Sequence, residues 1–309
     1  MFDPSLLEAQ RRALFSPKPP LNVQPLTDCA PPLEQDRLLG EQLIAEGKMG
    51  CILLAGGLGE RLGHVGPKGT YLLRGKSLFE ILFEKVRGPL AVMTSPLNHA
   101  ATVSFLKEHG SFGVKNLDLF TQRSLPLLDD QGHWLLDAQG NIRQAPDGNG
   151  GALKAFFEAG LWHKWQEKGV EFVRLALIDN PLADPYDAEV CGAAARTGAD
   201  VVIQAIAREP GEHIGALALS EGRIKIVEYT ELPSSPDFPL GNSGLFCFSL
   251  PFVQRAASIE LPWHVIKREA WKCESFIFDL LDHAHSVHVV LSPRARCFAP
   301  IKTKADAAL

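Results

Sequence analysis

Short, nearly continuous apolar runs recur along the chain and alternate with segments whose apolar residues fall at helical spacing. CILLA (51–55), LAVMTS (90–95), LDLF (117–120), FVRLALI (172–178) and DVVIQAI (200–206) are of the first kind. They suit strands buried on both faces. SLFEILFEKVR (77–87) is of the second, with Leu78, Ile81, Leu82 and Lys85 on one stripe and Ser77 as its N-cap. Leu153, Phe156, Phe157 and Leu161 predict another helix across 152–168. Strand, helix and strand at this cadence imply an α/β fold, with a mixed, mostly parallel sheet flanked by helices. The cadence breaks at 214–248, where IGALALS and IKIVEYT read as a hairpin and LFCFSL as a further strand. The last third predicts a helix near 275–284 and two short strands, VHVVL and RCFAPI.

Ahead of the first strand, two helical patterns at Ser5–Leu14 and Leu33–Ala45 are separated by proline-bearing stretches. This divides the chain into a helical preface, 1–48, and a main domain, 49–309. Hydrophobic residues make up 46% of the sequence, enough for a sizeable core. The formal charge of −5 gives no global basic field, so nucleic acid is not an expected partner, and phosphate binding would rest on local cations. The six cysteines contain no C-x-x-C pair, which argues against structural zinc and a disulfide framework. The start of the chain lacks a basic segment leading to an apolar one, and no apolar run approaches the roughly 18 residues of a membrane span. The expected setting is cytoplasmic, away from membranes.

Residues 53–69, LLAGGLGERLGHVGPKG, carry the most specific chemistry. Glycines after a strand let backbone N–H groups close on a polyanion, and Arg61 and Lys68 add two cations. Dinucleotide folds and P-loops also begin this way. Here, however, Pro67 interrupts the helix a dinucleotide loop would open, and Gly69 follows Lys68 where a P-loop needs Ser or Thr. APDGNGG (145–151) offers a second close backbone approach, with Asn149 supplying an acceptor and two donors. In LIDNPLADP, Asp179 follows an apolar strand and so stands at a carboxyl end, where open α/β sheets place ligands. A carboxylate there can share Mg²⁺ with phosphate oxygens. Gln122, Glu228, Asn242 and Lys302 are polar residues beside predicted strands, and each needs a partner or solvent.

In order along the chain, LLAGGLGERLG with PKG, VMTS, FTQRSLP, APDGNGG, IDNPLADP, IGALAL, VEYTE, GNSGLF, FIFDLL and FAPIK resemble the UDP-N-acetylglucosamine pyrophosphorylase family. The resemblance covers about residues 35–305 and extends to the wider group of UDP-sugar pyrophosphorylases. It implies a Rossmann-like nucleotide-diphospho-sugar transferase fold with a hairpin-containing sugar-binding part. It also implies a reaction of UTP with a sugar 1-phosphate to give a UDP-sugar and pyrophosphate, with Mg²⁺ as cofactor. Ala55, Gly56, Gly57, Gln122 and Gly148 would bind the nucleotide. Arg61, Lys68 and Lys302 would hold the phosphates, Asn149, Gly215, Glu228 and Asn242 the sugar, and Asp179 the metal. APDGNGG points to the N-acetylhexosamine branch. Two departures stand out. Glu60 replaces the family's threonine, and would repel a triphosphate unless it points away. The chain also ends seven residues after Lys302, where longer members continue into another domain that often serves self-association. Oligomeric state therefore does not carry over.

The residues agree with that chemistry. A sugar phosphate oxygen attacking the α-phosphorus is already deprotonated at neutral pH, so the site must supply positive charge and orientation, with no general base. Three alternatives stay open: a UDP-glucose, UDP-galactose or broad-specificity pyrophosphorylase, a catalytically weak UDP-sugar-binding protein, and, more distantly, a nicotinamide-binding dehydrogenase.

Overall fold

The computed structural model describes residues 2–17, 21–233 and 235–307. Its centre is a ten-stranded mixed sheet. Nine strands are labelled here: β1 Met49–Leu54, β2 Leu90–Thr94, β3 Leu117–Thr121, β4 Phe172–Leu177, β5 Val201–Ala207, β6 Ala216–Ser220, β7 Arg223–Val227, β8 Leu240–Ser249 and β9 Val287–Leu291. The main path runs β6, β8, β4, β1, β2, β3, with the two-residue strand Gln24–Pro25 beyond β6. β4, β1, β2 and β3 are parallel, so their carboxyl ends, and the loops that leave them, lie along one edge. β8 is antiparallel to β4, β5 and β6, and β9 pairs parallel with β5.

Alternation along the strands fills both faces. Ile52 and Leu54 join Met93, Phe156, Trp165 and Leu175 on one side, while Cys51 and Leu53 join Phe79, Val92, Tyr186 and Ala193 on the other. The expected hairpin is β6–β7, with Ala216 opposite Val227. Both N-terminal helices form, at Pro4–Phe15 and Glu34–Ala45. Among the described residues, no helix is long and apolar enough to cross a membrane.

Three sequence expectations change. The helix expected over 152–168 is two, Ala152–Glu158 and Leu161–Glu167, because Gly160 takes φ +73 between them. Ile277–His283 is 3₁₀, not α. RCFAPI forms a helical turn, Arg294–Cys297, and then irregular chain instead of a strand. There the carbonyl of Cys297 and the N–H of Ala299 bond the Asn180 side chain, so no neighbouring strand satisfies them. Three antiparallel pairs have no counterpart among the predicted elements: Leu72–Leu73 with Lys76–Ser77, Ser124–Pro126 with Gln144–Pro146, and His264–Lys267 with Trp271–Glu274.

The helix Glu34–Ala45 lies against Ala188–Thr197 closely enough that both contact positions must be glycine. A Cβ on Gly192 would lie 1.7 Å from the Asp36 carbonyl oxygen, and one on Gly40 would lie 1.8 Å from that of Ala188. Asp36, fully buried, accepts from Arg196 Nε at 2.5 Å across the same seam. The neighbours are backbone and cannot swing aside, so Gly192→Ala is expected to cost about 3 kcal/mol. Urea unfolding monitored by circular dichroism measures this, and an unchanged midpoint would refute the contact.

Candidate active site

β1 delivers the chain into the glycine loop. Ala55, fully buried, donates its N–H to Met93 O at 2.8 Å, which keeps the loop's start level with the end of β2. The loop then folds back on itself, with Gly59 N–H on Gly66 O (3.0 Å) and Lys68 N–H on Gly57 O (3.0 Å). Asn98 ties this base down by donating Nδ2 to the carbonyls of Ala55 (2.8 Å) and Gly57 (3.1 Å). Among the described residues, the N–H groups of Gly57, Leu58, Glu60 and Arg61 donate to no protein acceptor. A run of uncommitted donors on a glycine turn is an anion-binding concavity.

Gln122, at the carboxyl end of β3, packs its Oε1 where a Cβ on Gly56 would clash, at 2.6 Å. Gly148 takes φ +90 and pairs with Ser275, whose carbonyl would lie 2.3 Å from any Cβ there. The 145–151 turn is thereby stitched to the segment after the 264–274 hairpin, with Gly150 N–H on Ser275 O (2.9 Å) and Ser275 N–H on Asp147 O (2.8 Å). Asn149 spends its Oδ1 on the N–H of Ile277 at 2.9 Å, which leaves its amide donors for a ligand. Gly56, Gly57, Lys68, Gln122, Gly148 and Asn149 line a cavity of about 260 Å³ that reaches Asp179.

A second cavity of about 240 Å³ adjoins it and shares Asn149, Leu177 and Asp179 with the first. Gly215, Glu228, Asn242 and Lys302 line it, with Phe276 and Phe278 as an apolar wall. Burial raises the Glu228 pKa; repulsion from Glu231 adds to this, and His264 and Lys302 oppose it. Asn242 accepts from Gly244 N–H at 2.9 Å, so its amide too keeps its donors.

Where the cavities meet, Lys68 Nζ donates to Asp179 Oδ2 at 3.1 Å, the two side chains being 10% and 21% exposed. Among the described residues, no cluster of three or more His, Cys, Asp and Glu could hold a metal. The donor set at this point is a lone hard carboxylate beside a phosphate-sized concavity. It fits a Mg²⁺ that takes its remaining ligands from phosphate oxygens and water, and does not fit an all-protein cage.

Two residues expected in the site stand apart from both cavities. Ala55 contributes only buried backbone, and Arg61 projects from the exposed turn Glu60–Leu62 and lines neither. Glu60 is exposed on that turn. Sequence reasoning missed Asn98, a single buried polar residue with no motif around it. It also missed Lys272, which reaches the first cavity from the 264–274 hairpin and pairs with Glu274 at 2.5 Å. K-x-E on a strand puts both side chains on one face, and that spacing was the available signal.

Fold and site together define a class: an α/β protein whose parallel sheet edge presents a glycine loop with uncommitted N–H donors beside a second cavity that Glu228, Asn242 and Lys302 line. Residues 22–309 match the family model described as UDPGP, UTP–glucose-1-phosphate uridylyltransferase, and the chain belongs to that family. It is 29% identical over 296 residues to the probable UDP-N-acetylglucosamine pyrophosphorylase of Encephalitozoon cuniculi, covering 88% of this chain and 85% of that one. It is 33% identical over 237 residues to the UDP-N-acetylglucosamine pyrophosphorylase of Saccharomyces cerevisiae, covering 71% of this chain and 50% of that one. The structure of the Trypanosoma brucei UDP-N-acetylglucosamine pyrophosphorylase, solved with an inhibitor, superposes with a TM-score of 0.85 at 26% identity, over 98% of this chain and 74% of that one. Leishmania major UDP-glucose pyrophosphorylase shares the fold, at 18% identity and a TM-score of 0.77, over 92% of this chain and 69% of that one.

Asp147, within the 145–151 turn, has an unpartnered buried Oδ1, and burial pushes its pKa up to about 6 against the opposing pull of Arg123 and Lys272. The folded protein therefore binds this proton more tightly than the unfolded chain. Its contribution to stability is present at acidic pH and is lost as pH rises through about 6. Asp147→Asn should remove that slope and gain about 1–2 kcal/mol at pH 7, the partial exposure of the site holding the gain below the full shift. Urea titrations of both proteins between pH 4 and 8 test it, and parallel pH profiles would contradict it.

Proposed function

We propose that the chain is a uridylyltransferase that makes UDP-N-acetylglucosamine and pyrophosphate from UTP and N-acetylglucosamine 1-phosphate. The observation that carries this is the meeting of two cavities at Asp179, which pairs with Lys68 of the first. Joining two anions requires each to have its own pocket, with positive charge where they touch. The first cavity would take the nucleotide. Gln122 offers a carboxamide that can both donate to and accept from a uracil edge, and Gly148 gives its backbone close access. In the second, Asn242 and Asn149 would donate to sugar oxygens while Glu228 accepts from hydroxyls. Phe276 and Phe278 supply an apolar surface suited to the methyl of an acetamido group, which a glucose or galactose 1-phosphate lacks. The family match, and relatives named for UDP-N-acetylglucosamine, support the same reading.

The chemistry then needs no proton abstraction. A sugar phosphate oxygen attacks the α-phosphorus in line, the bond to the β-phosphate oxygen breaks, and pyrophosphate leaves. Lys68 balances the charge accumulating on the phosphates, and the loop N–H groups orient the tail. Mg²⁺ bound through Asp179 would screen phosphate oxygens and hold them in geometry. Glu60 is exposed and lines neither cavity, so the substitution for the family's threonine does not put a negative charge inside them.

Lys68→Ala and Asp179→Ala should each lower kcat by about 10²-fold or more with circular dichroism unchanged. Wild-type turnover in either folded variant sinks the assignment. Pyrophosphate release from UTP and Mg²⁺ with four sugars at equal concentration, the 1-phosphates of N-acetylglucosamine, N-acetylgalactosamine, glucose and galactose, should rank N-acetylglucosamine first. A tenfold preference for glucose would move the substrate to the other branch.

A further inference from the structure

The glycine loop has a neighbour that no motif announced. Gly63 closes the Glu60–Leu62 turn with φ +66, and a Cβ built on it would lie 2.5 Å from Cε and 2.7 Å from Nζ of Lys304. The last methylene and the ammonium of Lys304 therefore rest on the turn that carries Arg61. Neither cation has a hydrogen-bond or ion-pair partner among the described residues. The segment bearing Lys304 is fixed from two sides. Ile301 donates its N–H to Asp179 O at 2.7 Å. Asp306 Oδ2 accepts from the N–H groups of Lys302 (2.9 Å) and Thr303 (2.7 Å) and from Thr303 Oγ1 (3.0 Å). Lys302 consequently stands at the second cavity while Lys304, two positions on, stands at the loop.

We propose that Lys304 is a pyrophosphate-binding residue, which together with Arg61 and the loop N–H groups holds the β- and γ-phosphates of the nucleotide and then the departing pyrophosphate. This rests on the reaction proposed above. In-line displacement requires the leaving group to lie opposite the attacking oxygen. With the sugar phosphate arriving from the second cavity, the leaving group extends toward the loop. Two unpaired cations and four uncommitted N–H donors lie on or beside that loop, and pyrophosphate, with more negative charge than a monoester phosphate, matches that set better. The contact is positional as well as electrostatic. A glycine at position 63 lets the ammonium come down onto the turn, whereas any side chain there would lift it away.

The test separates the inference from the reading it rests on. Calorimetric binding of inorganic pyrophosphate, which needs no turnover, is measured for the wild type, Lys304→Met, Lys304→Arg and Lys115→Met. Methionine keeps the unbranched packing and removes only the charge, while exposed Lys115 controls for net charge. Lys304→Met should weaken pyrophosphate about tenfold, and Lys304→Arg and Lys115→Met should stay within about twofold of wild type. In the reverse reaction, the KM for pyrophosphate should rise by the same factor in Lys304→Met while the KM for UDP-N-acetylglucosamine stays unchanged. Pyrophosphate affinity within twofold of wild type in Lys304→Met overturns the proposal, as does an equal loss in Lys115→Met. If the wild type binds pyrophosphate through Lys304 yet turns over none of the four sugar phosphates, the reaction assignment fails while the site stands.

Discussion

Lys68 and Asp179 are a nearly buried lysine and carboxylate that meet at 3.1 Å, and the backbone of each is tied to a different part of the protein. Lys68 N–H closes the glycine loop on Gly57, and Asp179 O receives the N–H of Ile301 from the last segment of the chain. The pair thus stands where the loop, the carboxyl end of β4 and the C-terminal segment converge. Taking two charges out of water costs several kcal/mol each, and mutual attraction at one contact only partly offsets it. Such a pair is a poor device for stability alone. Its position, with Asp179 lining both cavities and Lys68 the first, gives it another logic, because each partner can exchange the other for a bound anion or cation. In the protein without ligands, Lys68 neutralises Asp179; on the proposed function, phosphates take Lys68 and free the carboxylate.

What the sequence made legible follows from the same physics. Glycines that need positive φ or close approach have no substitute, so Gly63 and Gly148 stand out as punctuation along the chain itself. Asp179 was readable because a carboxylate directly after an apolar strand sits at a carboxyl end. Lysines and asparagines away from motifs carried no comparable mark. Asn98 matters through two carbonyls contributed by a distant loop, and Lys272 and Lys304 through where their side chains reach. Reach is a tertiary property. The same holds for the misread C-terminal strand, whose backbone found its partners on one asparagine side chain, and for the divided helix, where Gly160 outweighed a continuous apolar stripe.

The core explains how the site stays in register. β1 and β4 are neighbours, each buried on both faces, so the glycine loop and Asp179 leave adjacent strand ends. Leu54 pairs with Leu177, which puts Asp179 two residues beyond a position level with the end of β1. A one-residue slip would turn every side chain of the strand to the opposite face, and both faces are packed. The glycine contact between helices Glu34–Ala45 and Ala188–Thr197 closes one of those faces just after the 179–187 segment. Residues far from any ligand thereby constrain the geometry of the ion pair.

Charge sets the final constraint. With a net charge of −5 the protein as a whole repels the anions it is proposed to join, and at physiological salt that field fades within about 10 Å. Attraction must therefore come from cations close to the loop and not already neutralised. Most lysines and arginines elsewhere fail the second condition: Lys76, Arg87, Arg123, Lys164, Arg255 and Arg294 each have a carboxylate partner. Arg61 and Lys304 meet both conditions, Arg61 within the turn Glu60–Leu62 and Lys304 against Gly63, which closes it. Arg61 and Lys304 thus place two unpaired cations beside the loop's uncommitted N–H donors, where the polyphosphate tail of the proposed reaction would lie.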